Sequence, residues 1–406
     1  MVYIFLQERY DPEPDPNSIC TQQLVFNLAL LKKECYIICD GVCGLENSYN
    51  NDEHIIHVPT KHHNLFSKAA VGEKIQIILS RLSILPIWPI RFPQKVKNYI
   101  KFIESLIKEK RLPLDEITFI SVYRSSEMVE IGYRIKKKYP MCKWIIYNLD
   151  GLDSNVKFKF KKWFQYKETC WQICKYKLAD KIFQMQAHKE LYINSTFKKF
   201  IDKTVFTDYP LLVKNNNENM SGKKNIECLY CGSFYKNLRE PFYMLEWFDV
   251  LSHDMRIYLN IYTRNDFVEY IDNKVKIFNG LLKRFDYVSA DEMNRIIMQN
   301  TLLISIGNTD SPMIPSKLFV YMSSCKPIIH FYYNNKDSCL PYLEKYPYSL
   351  LLNMNDSMDT NLNKTKLFIN NLYFLSEYDY HEVFEMLAQR LLRCTPLYTV
   401  KKIIEI

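Results

Sequence analysis

The chain has 406 residues, enough for two domains of ordinary size. Hydrophobic residues make up 48% and charged residues 24%, a globular rather than disordered balance, and only nine glycines argue against a Gly-rich phosphate loop. A formal net charge of +9 points to an anionic partner, and no run of 18 apolar residues is present to span a bilayer.

Residues 2–6 read as a first strand and not a signal peptide, because Gln7 and Glu8 follow a short apolar run. A polar, Pro-rich loop over 7–16 leads to Asn17 or Ser18, either of which can cap a helix over 19–33. Leu24, Leu28 and Leu31 lie on one face of that helix. Residues 36–39 form the next strand. Strand, loop, helix and strand at this spacing open a Rossmann-like domain.

Residues 47–61 are irregular and polar. His54 and His57 flank a probable strand and His62-His63 sit in a turn, so surface histidines are expected and not a metal cluster. Cys35, Cys39 and Cys43 are spaced by four without a partner pair. Cys228 and Cys231 form a CxxC inside an apparent strand, where the two side chains face opposite ways. No second CxxC or His pair follows at zinc spacing. The cysteines are expected as buried, reduced thiols of a cytoplasmic protein, and no metal and no cofactor are expected.

Residues 80–94, SRLSILPIWPIRFPQ, carry three prolines. They suit a loop packed on the core better than a patch for membrane or acceptor lipid, since large exposed apolar patches are uncommon. An amphipathic helix over 96–108, a strand over 117–122, a helix over 127–138 and a strand over 144–149 follow. That strand ends in Asp150-Gly151-Leu152-Asp153, turn chemistry in its own right. Residues 157–177 hold seven lysines, one glutamate and the aromatics Phe158, Phe160, Trp163, Phe164, Tyr166, Trp171 and Tyr176. Three readings stay open: a stacking groove for nucleic acid, a membrane-surface helix, or an amphipathic helix with a solvated lysine face.

Residues 215–225, NNNENMSGKKN, are a linker by composition. A strand over 227–232, a basic loop with Lys236 and Arg239, and a helix to 251 come next. A strand over 256–262 and the segments 275–279 and 285–287 precede a helix to 299 capped by Ser289 or Asp291. Residues 302–306 are an apolar run long enough for a buried strand. A polar loop over 307–312 leads to Ser316, which can cap a helix with Lys317 in its first turn. A strand begins at 328. Ligands of such units sit outside the carboxyl ends of the strands, where helix N–H groups suit a phosphate. A strand within 344–352 and helices over 380–393 and 398–406 complete the chain.

The wording of 314–331, IPSKLFVYMSSCKPIIHF, resembles the donor-binding helix of GT-B glycosyltransferases, particularly bacterial ones of polysaccharide synthesis. Those carry a stretch close to Pro-Ser-Lys-Leu-Phe-Glu-Tyr-Met and then a Lys-Pro-Ile-Ile strand. The match is specific over 232–241 and 287–331 and looser over WIIYNLDGLDS and TVFTDYPLL. Val320 stands where the second glutamate of the retaining class is expected, Pro312 lies eight positions before it, and Cys325 replaces a common glycine. The first loop lacks the Gly-Gly pair of many such enzymes.

The resemblance implies an α/β fold with two Rossmann-like domains facing a cleft. Residues 1–205 form the acceptor domain, 206–375 the donor domain, and 376–406 return toward the first. It implies a hexosyltransferase-type enzyme with a nucleotide-sugar donor and a glycan or lipid-linked acceptor in surface polysaccharide synthesis, with retention of configuration. Gly232, Ser233, Lys236, Arg239, Val288, Asn308, Ser311, Ser316 and Lys317 are the donor-binding residues it implies, with Lys236, Arg239 and Lys317 at the diphosphate. Asp150 and Asp153 are the candidates for acceptor contact or proton transfer. The expected location is the cytoplasm, with peripheral contact to the anionic inner face of a membrane; no nucleic-acid partner is expected. Val320 keeps an alternative open: a GT-B-fold protein weakened in catalysis that serves as partner or scaffold of active transferases.

Overall fold

The computed structural model describes residues 1–10, 16–40, 54–58, 89–90, 92–149, 161–214, 226–264, 266–309, 313–372 and 380–406. The chain divides into two compact units, Met1–Asp208 with Leu397–Ile406, and Tyr209–Pro396.

The first unit holds β1 (Val2–Leu6), β2 (Glu34–Asp40), β3 (Ile55–Val58), β4 (Ile117–Val122), β5 (Lys143–Asn148), β6 (Lys181–Met185) and β7 (Thr204–Thr207). They pair in parallel in the order β3-β2-β1-β4-β5-β6-β7. The second unit holds β8 (Ile226–Cys231), β9 (Ile257–Tyr262), β10 (Leu282–Phe285), β11 (Leu302–Ile306), β12 (Ile328–Tyr332) and β13 (Ser349–Asn353). These are also all parallel, in the order β10-β9-β8-β11-β12-β13. Both orders are Rossmann orders, with a switch point between β1 and β4 and between β8 and β11. Parallel strands are covered on both faces, so they read as unbroken apolar runs; β1, β4 and β11 are buried at every residue.

Helix packing on the first sheet is close enough to demand a glycine. A Cβ on Gly132, in the helix Ser126–Lys138, would lie 2.1 Å from Trp144 Nε1 and 2.4 Å from Ser121 Oγ. The indole N–H donates to Ser121 Oγ at 3.0 Å, and that hydroxyl donates to the Met128 carbonyl at 2.8 Å.

Several elements differ from the sequence reading. The first helix spans Pro16–Leu30 and not 19–33. Proline suits a first helical position, and Lys32, left-handed at φ 56°, closes the other end. Leu31 is therefore exposed, whereas Leu24 and Leu28 are buried. Residues 275–277 belong to a helix, Val268–Ile277. Ser316 is not a helix cap: its φ and ψ are −57° and −29°, already helical, and its side chain makes no capping bond. The first turn opens at Pro315, whose carbonyl accepts from the Leu318 N–H at 3.0 Å. Ser289 does cap the helix Ala290–Gln299, accepting from the Glu292 N–H at 3.2 Å.

The lysine-aromatic stretch includes the helix Lys161–Leu178. Its lysines do not all face water. Lys175 is buried against Glu130 at 2.8 Å and lies 3.6 Å from the Tyr133 ring centre. Trp163 and Tyr166 are exposed instead. Cys170 and Cys174 are also exposed, unlike the other described cysteines, and all are free thiols. The helix Pro396–Ile404 packs within the first unit, where Thr399 Oγ1 meets Thr207 Oγ1 at 2.8 Å. The helix Tyr380–Arg390 belongs to the second, with the Tyr380 hydroxyl donating to the Ser323 carbonyl at 2.9 Å.

Candidate functional site

At the β8/β11 switch point the sequence supplies two turns. Cys231-Gly232-Ser233 follows β8, and Gly307-Asn308-Thr309 follows β11. The loop after β8 folds back on itself. Tyr235 N–H donates to Arg239 O at 2.8 Å and Arg239 N–H to Tyr235 O at 2.9 Å, with Asn237 left-handed at φ 60° between them. That small turn is fastened to the β11 loop: Thr309 N–H donates to Leu238 O at 3.0 Å and Thr309 Oγ1 to Asn237 O at 3.0 Å.

This scaffold aims Arg239. Its Nε and Nη2 donate to Asn308 Oδ1 at 3.2 and 2.8 Å, and Asn308 Nδ2 donates to the Met313 carbonyl at 2.7 Å. Asn308 is buried, so its amide has no freedom to turn away. Arg239 is half-buried, and among the described residues no carboxylate pairs with it. Its other terminal nitrogen lies 3.8 Å from where a Gly232 Cβ would stand. A side chain at 232 would also press on the Tyr230 hydroxyl at 3.3 Å. Burial pushes that hydroxyl up to about 12 against the pull of Arg239, so Tyr230 is a neutral phenol there.

Lys317 approaches the same place from the helix Lys317–Ser323. Burial raises the Cys231 thiol, and the Lys317 charge works against that rise. The Tyr321 hydroxyl, one turn on, accepts the Cys231 N–H at 2.8 Å and so pins this helix to the end of β8. Val320 lies on the same helical face as Lys317 and Tyr321 and is half-buried, with no charge to offer. Lys236 is exposed at the loop tip, and its N–H donates to Asp266 Oδ2 at 3.1 Å.

The structure thus gathers Gly232, Ser233, Arg239, Asn308 and Lys317 around one switch point, with Lys236 at its rim. Val288 is half-buried between β10 and the Ser289 cap. Ser316 is present at the helix start without the capping role expected of it. Ser311, Asp150 and Asp153 lie outside the described residues.

The segment 287–292 resembles the GT-B loop that meets the nucleotide base, but the contact of its first ring with Arg264 was not anticipated. Tyr287 is 43% exposed, the Arg264 guanidinium lies 4.3 Å from its ring centre, and its hydroxyl is 3.5 Å from Ser233 Oγ. The positions after β9 and β10 were the available signal, because side chains there face the ligand side of such a sheet. Beneath Gly307 sequence reasoning missed a buried pair. His330 Nε2 faces Asp337 Oδ2 at 3.4 Å. Burial raises the Asp337 carboxyl, but the His330 imidazole and the Cys339 amide outweigh it and hold it below the usual carboxylate range.

In the first unit, strand ends also carry polar groups. Lys95 is buried between Glu8 Oε1 at 2.9 Å and Asp40 Oδ2 at 2.8 Å. The Tyr99 hydroxyl lies 2.6 Å from Asp40 Oδ1 and 3.1 Å from the Gln7 carbonyl. Asn148, at the end of β5, donates to Gln184 Oε1 at 3.0 Å. Gln184 Nε2 faces His188 Nδ1 at 3.3 Å.

No family model matches the sequence, and no curated protein matches it. Solved structures do. HepE of Anabaena, in complex with UDP-glucose, is similar at TM-score 0.62 and 9% identity, over 100% of this chain and 98% of that one. The catalytic domain of starch synthase IV from Arabidopsis thaliana, bound to ADP and acarbose, is similar at TM-score 0.60 and 7% identity, over 100% and 98%. The pneumococcal O-GlcNAc transferase GtfA, in complex with UDP and GlcNAc, is similar at TM-score 0.58 and 9% identity, over 100% and 98%. The likeness shows the fold: two Rossmann-like units of the GT-B type.

Proposed function

We propose that the protein is a glycosyltransferase that moves a hexose from a nucleotide-sugar donor to a glycan or lipid-linked acceptor in surface polysaccharide synthesis. The observation that carries this is Arg239, a half-buried cation with a neutral amide for its partner at the β8/β11 switch point. A partly buried cation that no described carboxylate neutralises, oriented by a fixed amide, suits an anionic ligand. The ligands named for the similar structures, UDP-glucose, UDP and ADP, supply one as a diphosphate.

In this reading Arg239, Lys317 and Lys236 neutralise the leaving diphosphate without a metal at that position, and Gly232 leaves room for it. Asn308 orients Arg239 and, with Ser311, lies against the donor sugar. Val288 and Ser233 line the nucleoside side. Asp150 and Asp153 serve the acceptor, one of them as the group that takes its proton. The outcome is retention. The protein works in the cytoplasm at the inner face of a membrane, and no nucleic acid is bound. A turnover panel of UDP-, GDP-, ADP- and dTDP-sugars tests the reading. One donor is expected to be consumed well above the rest, and no consumption of any donor with a range of acceptors speaks against it.

Val320 favours a second reading, a GT-B-fold partner of active transferases with weakened chemistry. An aliphatic side chain cannot accept from a ribose hydroxyl, and such a charge-assisted bond is worth about 1.5–3 kcal/mol. Val320→Glu separates the two: a large rise in donor turnover supports the second reading, and brisk turnover by the unaltered chain excludes it.

A further inference from the structure

Beneath the Gly307 turn lies a cluster that the donor reading does not use. His330 sits on β12 with no exposed surface, and Asp337 and Cys339 follow that strand at 5% and 1% exposure. His330 Nδ1 meets Ser305 Oγ at 3.0 Å, which fixes the ring and turns Nε2 the other way. Nε2 and Asp337 Oδ2 face each other at 3.4 Å, and neither of these buried atoms has a well-formed hydrogen bond. Asp337 Oδ1 is taken by the Cys339 N–H at 2.7 Å. The Cys339 sulfur completes the group: one nitrogen, one oxygen and one sulfur ligand atom, all within 4.8 Å of one another.

We propose that His330 Nε2, Asp337 Oδ2 and Cys339 Sγ bind a zinc-class divalent cation that holds the Gly307 turn in place. The donor set fits. Imidazole, carboxylate and thiolate together suit zinc and not magnesium or calcium, which take oxygen ligands. Charge fits as well. One carboxylate and one thiolate cancel the ion's two positive charges, which a buried site requires. As the metal–sulfur bond forms, the thiol proton leaves to water, and nothing is oxidised or reduced. Three atoms no more than 4.8 Å apart admit a point within about 2.8 Å of each, and zinc needs about 2.0–2.3 Å, so small side-chain rotations bring all three into bonding range and leave the fourth tetrahedral position to a non-protein ligand. Ser305 acts as the outer partner that orients the ligating ring.

The place explains the purpose. A Cβ at Gly307 would stand 1.5 Å from Asp337 Oδ2, so the cluster touches the backbone just before Asn308. An ion there ties the segment after β12 to the end of β11, on which the Arg239–Asn308 pair depends. The competing account is a metal-free histidine–aspartate contact propping the same turn.

Metal analysis of the full chain decides between them. The protein is produced with zinc in the medium, purified without chelator, dialysed and measured by mass spectrometry. About one zinc per chain is expected in the unaltered protein. Cys339→Ser and His330→Gln are each expected to hold less than about a tenth of that while still melting cooperatively. Cobalt-loaded protein is expected to show a thiolate-to-cobalt absorption band that Cys339→Ser lacks. Background zinc in the unaltered chain, with a melting temperature indifferent to added zinc and to chelator, overturns the proposal. So does zinc held equally by Cys339→Ser. None of these readouts involves a sugar nucleotide, so the donor assignment stands or falls separately.

Discussion

Asn308 accepts both Arg239 bonds with one neutral oxygen, which orients the guanidinium without discharging it. Gly307 is as constrained as its neighbour. Gly307→Ala places a methyl 1.5 Å from Asp337 Oδ2, on a buried carboxylate whose other oxygen is held by the Cys339 N–H, so the turn has to move. A loss of about 1–3 kcal/mol in urea unfolding is expected, together with weaker anion binding because Asn308 shifts. Unchanged stability would show that the loop yields easily. Gly232 and Arg239 could be named from the sequence because the stretch 232–241 resembles a GT-B donor domain. Asn308 as the partner of Arg239, and Arg264 against Tyr287, could not, since each pair joins side chains from different strand ends. Only the strand order brings those ends together.

Among the elements, strands were the most legible, since burial on both faces leaves an uninterrupted apolar run. β1, β4 and β11 fall where the sequence places them. Helix ends were less so, because they depend on single backbone choices such as the left-handed Lys32. The helix Pro93–Glu109 is anchored in a way periodicity does not report, through Lys95 buried between Glu8 and Asp40. Lys95→Met strips two half-buried carboxylates of their counter-ion and is expected to cost about 1–3 kcal/mol in denaturant unfolding. The pH dependence follows from direction. Burial raises the Glu8 carboxyl, but Lys95 outweighs it and the net value is lowered. Glu8 therefore stabilises the fold above the ordinary carboxylate range and loses that contribution as pH falls through its lowered value. Lys95 is raised in the net, burial notwithstanding, so its contribution is lost only as pH climbs beyond the lysine range. The unaltered protein is expected to hold its melting temperature down to about pH 4–5 and to lose stability below that, whereas Lys95→Met, whose unpaired carboxylates are raised by burial, is expected to lose less on acidification or to gain. Parallel acid profiles for the two proteins would contradict this.

For the molecule as a whole, one property follows from charge and surface. The net charge is +9, and the helix Lys161–Leu178 turns Trp163, Tyr166 and Lys162 outward. If this face meets an anionic membrane, each lysine there contributes about 1 kcal/mol and salt removes it. Sedimentation with vesicles is expected to rise with anionic lipid and to fall for a Lys162→Gln, Lys167→Gln chain; equal recovery with neutral and anionic vesicles at low salt would sink the idea.

The central claim is that Arg239 awaits a diphosphate, and titration calorimetry tests it most directly. Unaltered protein, Arg239→Ala and Arg239→Lys are each titrated with UDP, GDP, ADP and dTDP. The unaltered chain is expected to bind at least one of them. Arg239→Ala should lose about 10- to 100-fold in affinity at an unchanged melting temperature, and Arg239→Lys should recover only part, because a point charge cannot reproduce the oriented fork. Binding of no nucleotide by the unaltered chain, or equal affinity in Arg239→Ala, would contradict the account.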